Sequence, residues 1–119
     1  MTDKIKEKEK IVENLLQELN RGTQVLAVLL ATTSASYGYS LVQSLKDAGI
    51  EIEQNTLYPL LRRLEKQGLL ESSWDTGESR PRKYYVRTEL GSEIAVILKN
   101  EWRVLNRTVE VMIDKEEIE

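Results

Sequence analysis

Asn55, Thr56 and Tyr58 stand together at the start of a segment whose leucines recur at helical spacing, Arg62 follows one turn behind Tyr58, and Arg80, Arg82 and Lys83 cluster further on in a short loop. These are the side chains of nucleic-acid recognition. An Asn carboxamide pairs donor and acceptor with an adenine edge, and an Arg fork matches guanine or a phosphate. A Lys or a loop Arg grips the backbone without reading sequence. The plainer reading is that Asn55 and Thr56 cap a helix, Tyr58 packs, and the cations form a solvated face. Basic groups on helix and loop together favour contact with DNA, with Arg62 placed for a phosphate and Arg80, Arg82 and Lys83 for the backbone or minor-groove edge.

Other chemistries are poorly supplied. The 119 residues include no Cys and no His, which removes the usual zinc ligands, thiol nucleophiles and the commonest general base. Glu51 and Glu53 fall in a connection, and Asp114, Glu116, Glu117 and Glu119 read as a solvated acidic tail. An enzyme is not expected, nor a metal site or a cofactor.

The formal net charge of -3 is unevenly spread: residues 54–88 hold seven basic and four acidic groups, whereas residues 1–53 hold six and eight, and residues 89–119 four and eight. Salt screens charges beyond about 10 Å at ~0.1 M, so an approaching phosphate responds to the local surplus of the middle segment. With 40% hydrophobic and 31% charged residues, the chain reads as one soluble globular domain. No apolar run approaches the ~20 residues of a membrane span, and Met1 to Lys10 lacks the apolar core of a signal peptide. A cytoplasmic protein without a membrane partner is expected.

The elements that would position the candidate residues follow from periodicity. Ile11, Val12, Leu15, Leu16 and Leu19 make one stripe of an amphipathic N-terminal helix within residues 1–20, laid on its own domain or on a second subunit. Arg21-Gly22-Thr23 is expected to interrupt, Thr23 capping a core helix with the run Val25 to Ala31. A short helix with Leu41, Val42 and Leu45 inside ends at Gly49. Ile50 to Glu53 alternates like an extended segment. The next helix, with Leu57, Leu60, Leu61 and Leu64 inside, starts close to Asn55 so that Pro59 falls early in it, and ends at Gly68. Leu69 to Trp74 and Arg82 to Thr88 read as a hairpin around the turn Asp75-Thr76-Gly77-Glu78, with Tyr84 and Val86 on one face of the second arm and Lys83, Tyr85 and Arg87 on the other. Thr88 starts a last helix, residues 89–119, whose Leu98, Trp102, Leu105, Val109 and Met112 step by 4, 3, 4, 3 as a dimer seam. The fold class is mainly α with a small β-hairpin: a winged helix-turn-helix over 21–88, between an N-terminal helix and a C-terminal dimerisation helix.

Three blocks carry a resemblance: Gly38-Tyr39-x-Leu41; Thr56-Leu57-Tyr58-Pro59-x-Leu61-x-x-Leu64-Glu65-x-x-Gly68-Leu69; and Pro81-Arg82-Lys83-Tyr84-Tyr85-x-x-Thr88-x-x-Gly91. Over roughly residues 21–112 the chain resembles the PadR family of bacterial transcriptional regulators, in its short form with one helix after the wing. The resemblance implies a homodimeric repressor acting on a double-stranded DNA operator. It further implies a flat pocket at the dimer interface, where Trp102 from each copy would hold a planar hydrophobic effector. The chain departs from the family pattern near the start of the second helix, where Glu53 stands in place of the usual Ser and would repel a nearby phosphate. Its segment before Arg21 is also longer than the family minimum.

Two alternatives accompany this reading. A winged helix used only for protein contacts would suit the acidic total. A repressor answering to phenolic acids, or to no small molecule, would suit the scarcity of a counter-charge near Trp102, where Glu101 is the one candidate.

Overall fold

The computed structural model describes residues 2–77 and 80–118. Glu78, at the end of the anticipated turn, and Glu119, at the end of the acidic tail, lie outside the described residues. Among the described residues seven elements follow one another: α1 (Thr2–Ala31), β1 (Ser36–Tyr37), α2 (Gly38–Asp47), α3 (Gln54–Lys66), β2 (Leu70–Asp75), β3 (Arg82–Arg87) and α4 (Glu89–Ile118). The sheet runs β1-β3-β2, antiparallel throughout, and pairs Tyr37 with Tyr84 and Asp75 with Arg82.

The core is formed where leucine stripes converge. Val28 and Leu29 of α1, Leu41 and Leu45 of α2, and Leu57, Leu60, Leu61 and Leu64 of α3 are buried together with Leu70, Tyr85 and Ala95. Ile52 is buried while its neighbours Glu51 and Glu53 are exposed. The alternation anticipated for Ile50 to Glu53 therefore holds in burial, although no strand forms there. Gly49 and Gly68 take φ of 102° and 83°, the left-handed conformation that ends α2 and α3 at little steric cost.

The expected break at Arg21-Gly22-Thr23 does not occur. Helix α1 is continuous, so the amphipathic stretch of residues 1–20 and the core helix are one rod of 30 residues. Gly22 costs a helix interior only about 1 kcal/mol, and its position is open, with nothing near where a Cβ would sit. Thr23 is no cap: its hydroxyl donates back to the Asn20 carbonyl at 2.8 Å, a bond compatible with continued helix.

Helix α3 starts one residue earlier than expected, with Glu53 at the N-cap. Pro59 is thereby the sixth helical residue, and the backbone bond it cannot make would have gone to Asn55, whose carbonyl is left at the exposed start of the helix.

Two joints fix the layers. At the first, the Thr88 hydroxyl donates to the Gly68 carbonyl at 2.6 Å and accepts from the Gly91 N–H at 3.0 Å, while the Thr88 N–H donates to the Leu69 carbonyl at 3.0 Å. Gly91 lies so close to the Leu69 carbonyl that a side chain there would collide with backbone. At the second, Arg87 closes the C-terminal end of α1. Its N–H donates to the Thr32 carbonyl at 2.9 Å and its guanidinium to the Leu29 carbonyl at 3.2 Å, a cation at the negative end of the helix dipole.

Beyond this core the two long helices project. The radius of gyration is 17.9 Å with extents of 60 × 38 × 23 Å, against about 13–14 Å for a close-packed domain of this length. Residues 2–22 of α1 and 100–117 of α4 are exposed throughout.

Candidate nucleic-acid interface

The leucines that bury α3 decide which of its side chains face out. With Leu57, Leu60, Leu61 and Leu64 inside, Asn55, Pro59, Arg62 and Lys66 fall on the opposite face, and all four are exposed. Asn55 and Arg62, seven residues apart, therefore share one outward stripe. Thr56 is exposed on one flank of that stripe, with Arg63. Tyr58 lies on the other flank, half-buried, with its ring against Gly38: a Cβ on Gly38 would come within 2.6 Å of Tyr58 Cε1. Asn55 and Thr56 do not cap α3, since Glu53 holds that position without a side-chain cap bond.

The wing reaches the same surface. Tyr58 shares a cleft of about 310 Å³ with Tyr39, Pro81, Arg82 and Lys83. Arg82 is exposed, with its guanidinium 5.7 Å from the Tyr37 ring centre and 5.6 Å from that of Tyr39, and donates to the Tyr39 hydroxyl at 3.0 Å. The two tyrosine rings stack at 5.6 Å, and Tyr84 meets Tyr37 edge-on. The Tyr37 hydroxyl donates to Asp75 at 2.8 Å, and the Gly77 N–H donates to the other carboxylate oxygen at 3.1 Å. Asp75 is held below the usual carboxylate range, first by the Tyr37 bond, then by Gly77 and by the charge of Arg82. This clamp joins the base of the wing to the start of α2 and orders Arg82 while leaving it on the surface.

Lys83 sits differently. It points to the inner face of β3, 3.4 Å from Glu65 of α3, with its ammonium 5.4 Å from the centre of the Tyr85 ring and 6.0 Å from that of Trp74. Glu65 also accepts a hydrogen bond from the Ser72 hydroxyl. The alternation along β3 accounts for this: Lys83, Tyr85 and Arg87 share one face, as anticipated, and it is the face that packs. Of the three cations expected at the wing, Arg80 and Arg82 are exposed, and Lys83 is partly exposed and paired with Glu65.

Trp102 lies away from this surface, where α4 passes α1. It is 44% exposed and stands between two clefts. One, of about 460 Å³, is lined by Leu26, Leu30, Lys99 and Arg103; the other, of about 340 Å³, by Leu26, Leu98, Glu101 and Leu105. Leu98 is half-buried against the core, whereas Leu105, Val109 and Met112 are exposed. The apolar surface of α4 is broader than the five-residue stripe, for Val96, Ile97, Val104, Val111 and Ile113 are exposed as well.

Sequence reasoning missed the Tyr37–Asp75–Arg82 clamp. Its signal was slight, because β1 has two residues and shows no periodicity of its own. It also missed Arg87 as a helix-closing group, which depends on a contact across 58 positions of chain.

Known proteins share this architecture. The profile of the Transcriptional regulator PadR-like family matches residues 25–95. A transcriptional regulator of Mycobacterium tuberculosis is 35% identical over 77 residues, covering 64% of this chain and 72% of that protein. The crystal structure of a PadR family transcriptional regulator from Eggerthella lenta superposes with a TM-score of 0.84 at 49% identity, covering 89% of this chain and 95% of that one. A PadR-like regulator from Bacillus cereus superposes with a TM-score of 0.73 at 28% identity, covering 81% and 96%. With its matched core, its winged helix and its two projecting helices, the chain belongs to the PadR-like family of transcriptional regulators.

Proposed function

We propose that this protein is a homodimeric repressor that holds operator DNA through α3 and the wing and releases it when a planar aromatic compound binds beside Trp102. The observation that carries the DNA half is the coincidence of the Asn55–Arg62 stripe with the ordered Arg82 beside it. One element reads base edges, and the other holds the backbone in register. Asn55 would read a base, Thr56 and Tyr58 would flank it, and Arg62, Arg80 and Arg82 would contact phosphates. Lys83 contributes by fixing the wing to α3.

The dimer half rests on unpartnered apolar surface. Ile11, Leu15, Leu16 and Leu19 of α1, and Trp102, Leu105, Val109 and Met112 of α4, are all exposed; Leu19 is 72% and Met112 65% accessible. Stripes of exposed apolar side chains on this scale suit an interaction site. The alternating steps of three and four from Leu98 suit a helix-to-helix seam. Two such stripes on adjoining rods fit a second copy whose own stripes are the complement, an isologous arrangement.

In that dimer the paired Trp102 rings would enclose the effector. The cleft with Glu101 suits a cationic aromatic compound, and the cleft with Lys99 and Arg103 an anionic one. Binding would tilt the two DNA heads and spoil the half-site spacing. The test is a titration of the protein with a cationic bis-benzimidazole dye and with an anionic naphthalene sulfonate, following Trp102 emission and DNA retention together. Because Trp74 also emits, the comparison is made in a Trp74→Phe background. Quenching coupled to DNA release supports the reading, and quenching with DNA still held contradicts the release mechanism.

A further inference from the structure

Helix α3 has a second flank, and it too is basic. Arg21 of α1 and Arg63 of α3 line one cleft of about 350 Å³ with Gln24, Thr56 and Pro59, and no acidic side chain is among its walls. Both arginines are exposed. Among the described residues neither forms an ion pair, whereas Lys83 pairs with Glu65 and Arg87 is spent on the end of α1. Two guanidinium groups lining one cleft repel each other, and an anion between them relieves that repulsion.

The position of the cleft says which anion. A helix lying in the major groove, about 12 Å wide, has a sugar–phosphate wall on each side. With α3 in that groove, its Tyr58 flank, with Tyr39 and Arg82, would face one wall, and its Thr56 flank, with Arg21 and Arg63, the other. The second wall would thus meet a cleft with two cations of its own. An adjoining cleft that shares Arg21, Gln24 and Thr56 also contains Glu13, Glu51 and Glu53. Those carboxylates repel phosphate, so the track of the backbone is bounded at Arg21.

We propose that Arg21 and Arg63 together bind a DNA backbone phosphate on the α1 side of α3, making α1 a part of the DNA-binding surface and fixing the rotation of α3 in the groove. This rests on the DNA-binding reading above and adds a contact that α3 and the wing do not supply.

The test measures binding of fluorescent duplexes, selected from a random pool by the unmodified protein, over a range of salt concentrations. Each protein–phosphate contact contributes about 0.9 to the slope of log affinity against log salt. Arg21→Gln with Arg63→Gln is expected to flatten the slope by about two units, one contact per protomer of a dimer, with an unchanged melting curve because both residues are exposed. Arg21→Lys, which keeps the charge, is expected to preserve most of the slope. Arg107→Gln, on the exposed half of α4, controls for net charge and is expected to leave the slope alone. An unchanged slope in the double variant, or an equal loss in the Arg107 variant, overturns the inference while the wing and α3 still bind. Failure of the unmodified protein to retain any duplex overturns the DNA-binding reading and this contact with it.

Discussion

The Tyr37 hydroxyl donates to Asp75 at 2.8 Å, a bond that joins the strand leading into α2 to the last residue of β2, across 38 positions of chain. Through it the wing is anchored to the helix-turn-helix at its base as well as along its ladder. Asp75→Asn and Tyr37→Phe are therefore expected to loosen the wing without unfolding the core. The measurable outcome is faster proteolysis near Gly77 and DNA binding weaker by roughly two- to fivefold, the range of one modest hydrogen bond. Unchanged proteolysis in both variants would show that the ladder alone orders the wing.

The same bond sets a pH dependence. The Asp75 carboxyl is held below its usual range by Tyr37, Gly77 and Arg82. A lowered folded-state value means that its contribution is fully present above the ordinary carboxylate value of about 3.9 and is lost as pH falls through the lower folded value. Tyr37 ring resonances should accordingly stay fixed from neutral pH down to about 4 and shift below it, and Asp75→Asn should abolish that transition.

Arg82 and Lys83 are neighbours with opposite assignments, and their variants should separate. Arg82→Ala is expected to lower affinity and flatten the salt slope by about one to two units for a dimer. Lys83→Ala is expected to cost stability, up to about 1 kcal/mol for a partly exposed pair, with the salt slope largely kept. Denaturant melts and binding at several salt concentrations distinguish the two. A slope that falls with Lys83 and not with Arg82 would reverse the assignment.

Gly91 and Thr88 hold α4 to the head. Gly91→Ala places a methyl group against the Leu69 carbonyl and is expected to cost about 1–3 kcal/mol or more by overpacking. Thr88→Val removes the cap of α4 and is expected to cost about 1 kcal/mol. Chemical denaturation measures both. A Gly91→Ala protein as stable as the parent would mean that the joint yields.

Much of this was legible in the chain. The leucine spacing of residues 57–64 marked the buried face of α3, while the Asn55–Arg62 stripe became visible only once the start of the helix was fixed, with Asn55 inside it and Glu53 at the N-cap. The alternation in 82–87 correctly grouped Lys83 with Tyr85 and Arg87. What it could not show is which of the two faces packs, because Tyr85 and Tyr84 are equally apolar and only the tertiary partner, Glu65 or Tyr37, decides. Gly22 misled for a physical reason: a single glycine weakens a helix by less than its flanking turns stabilise it, so composition suggested a break that the continuous helix overrides. The contacts of Asp75 and Arg87 link distant parts of the chain and leave no local pattern.

The central claim is that two copies of this chain, joined along α1 and α4, present two α3 heads to one duplex. Sedimentation of the protein with a selected duplex, at low and at high salt, tests it directly. The expected result is a particle of twice 13.7 kDa in the absence of DNA, two protomers per duplex at low salt, release at high salt, and reversion to a single protomer in Leu105→Glu/Val109→Glu. A protein that sediments as one protomer at working concentration and leaves the duplex unbound at low salt would contradict the account.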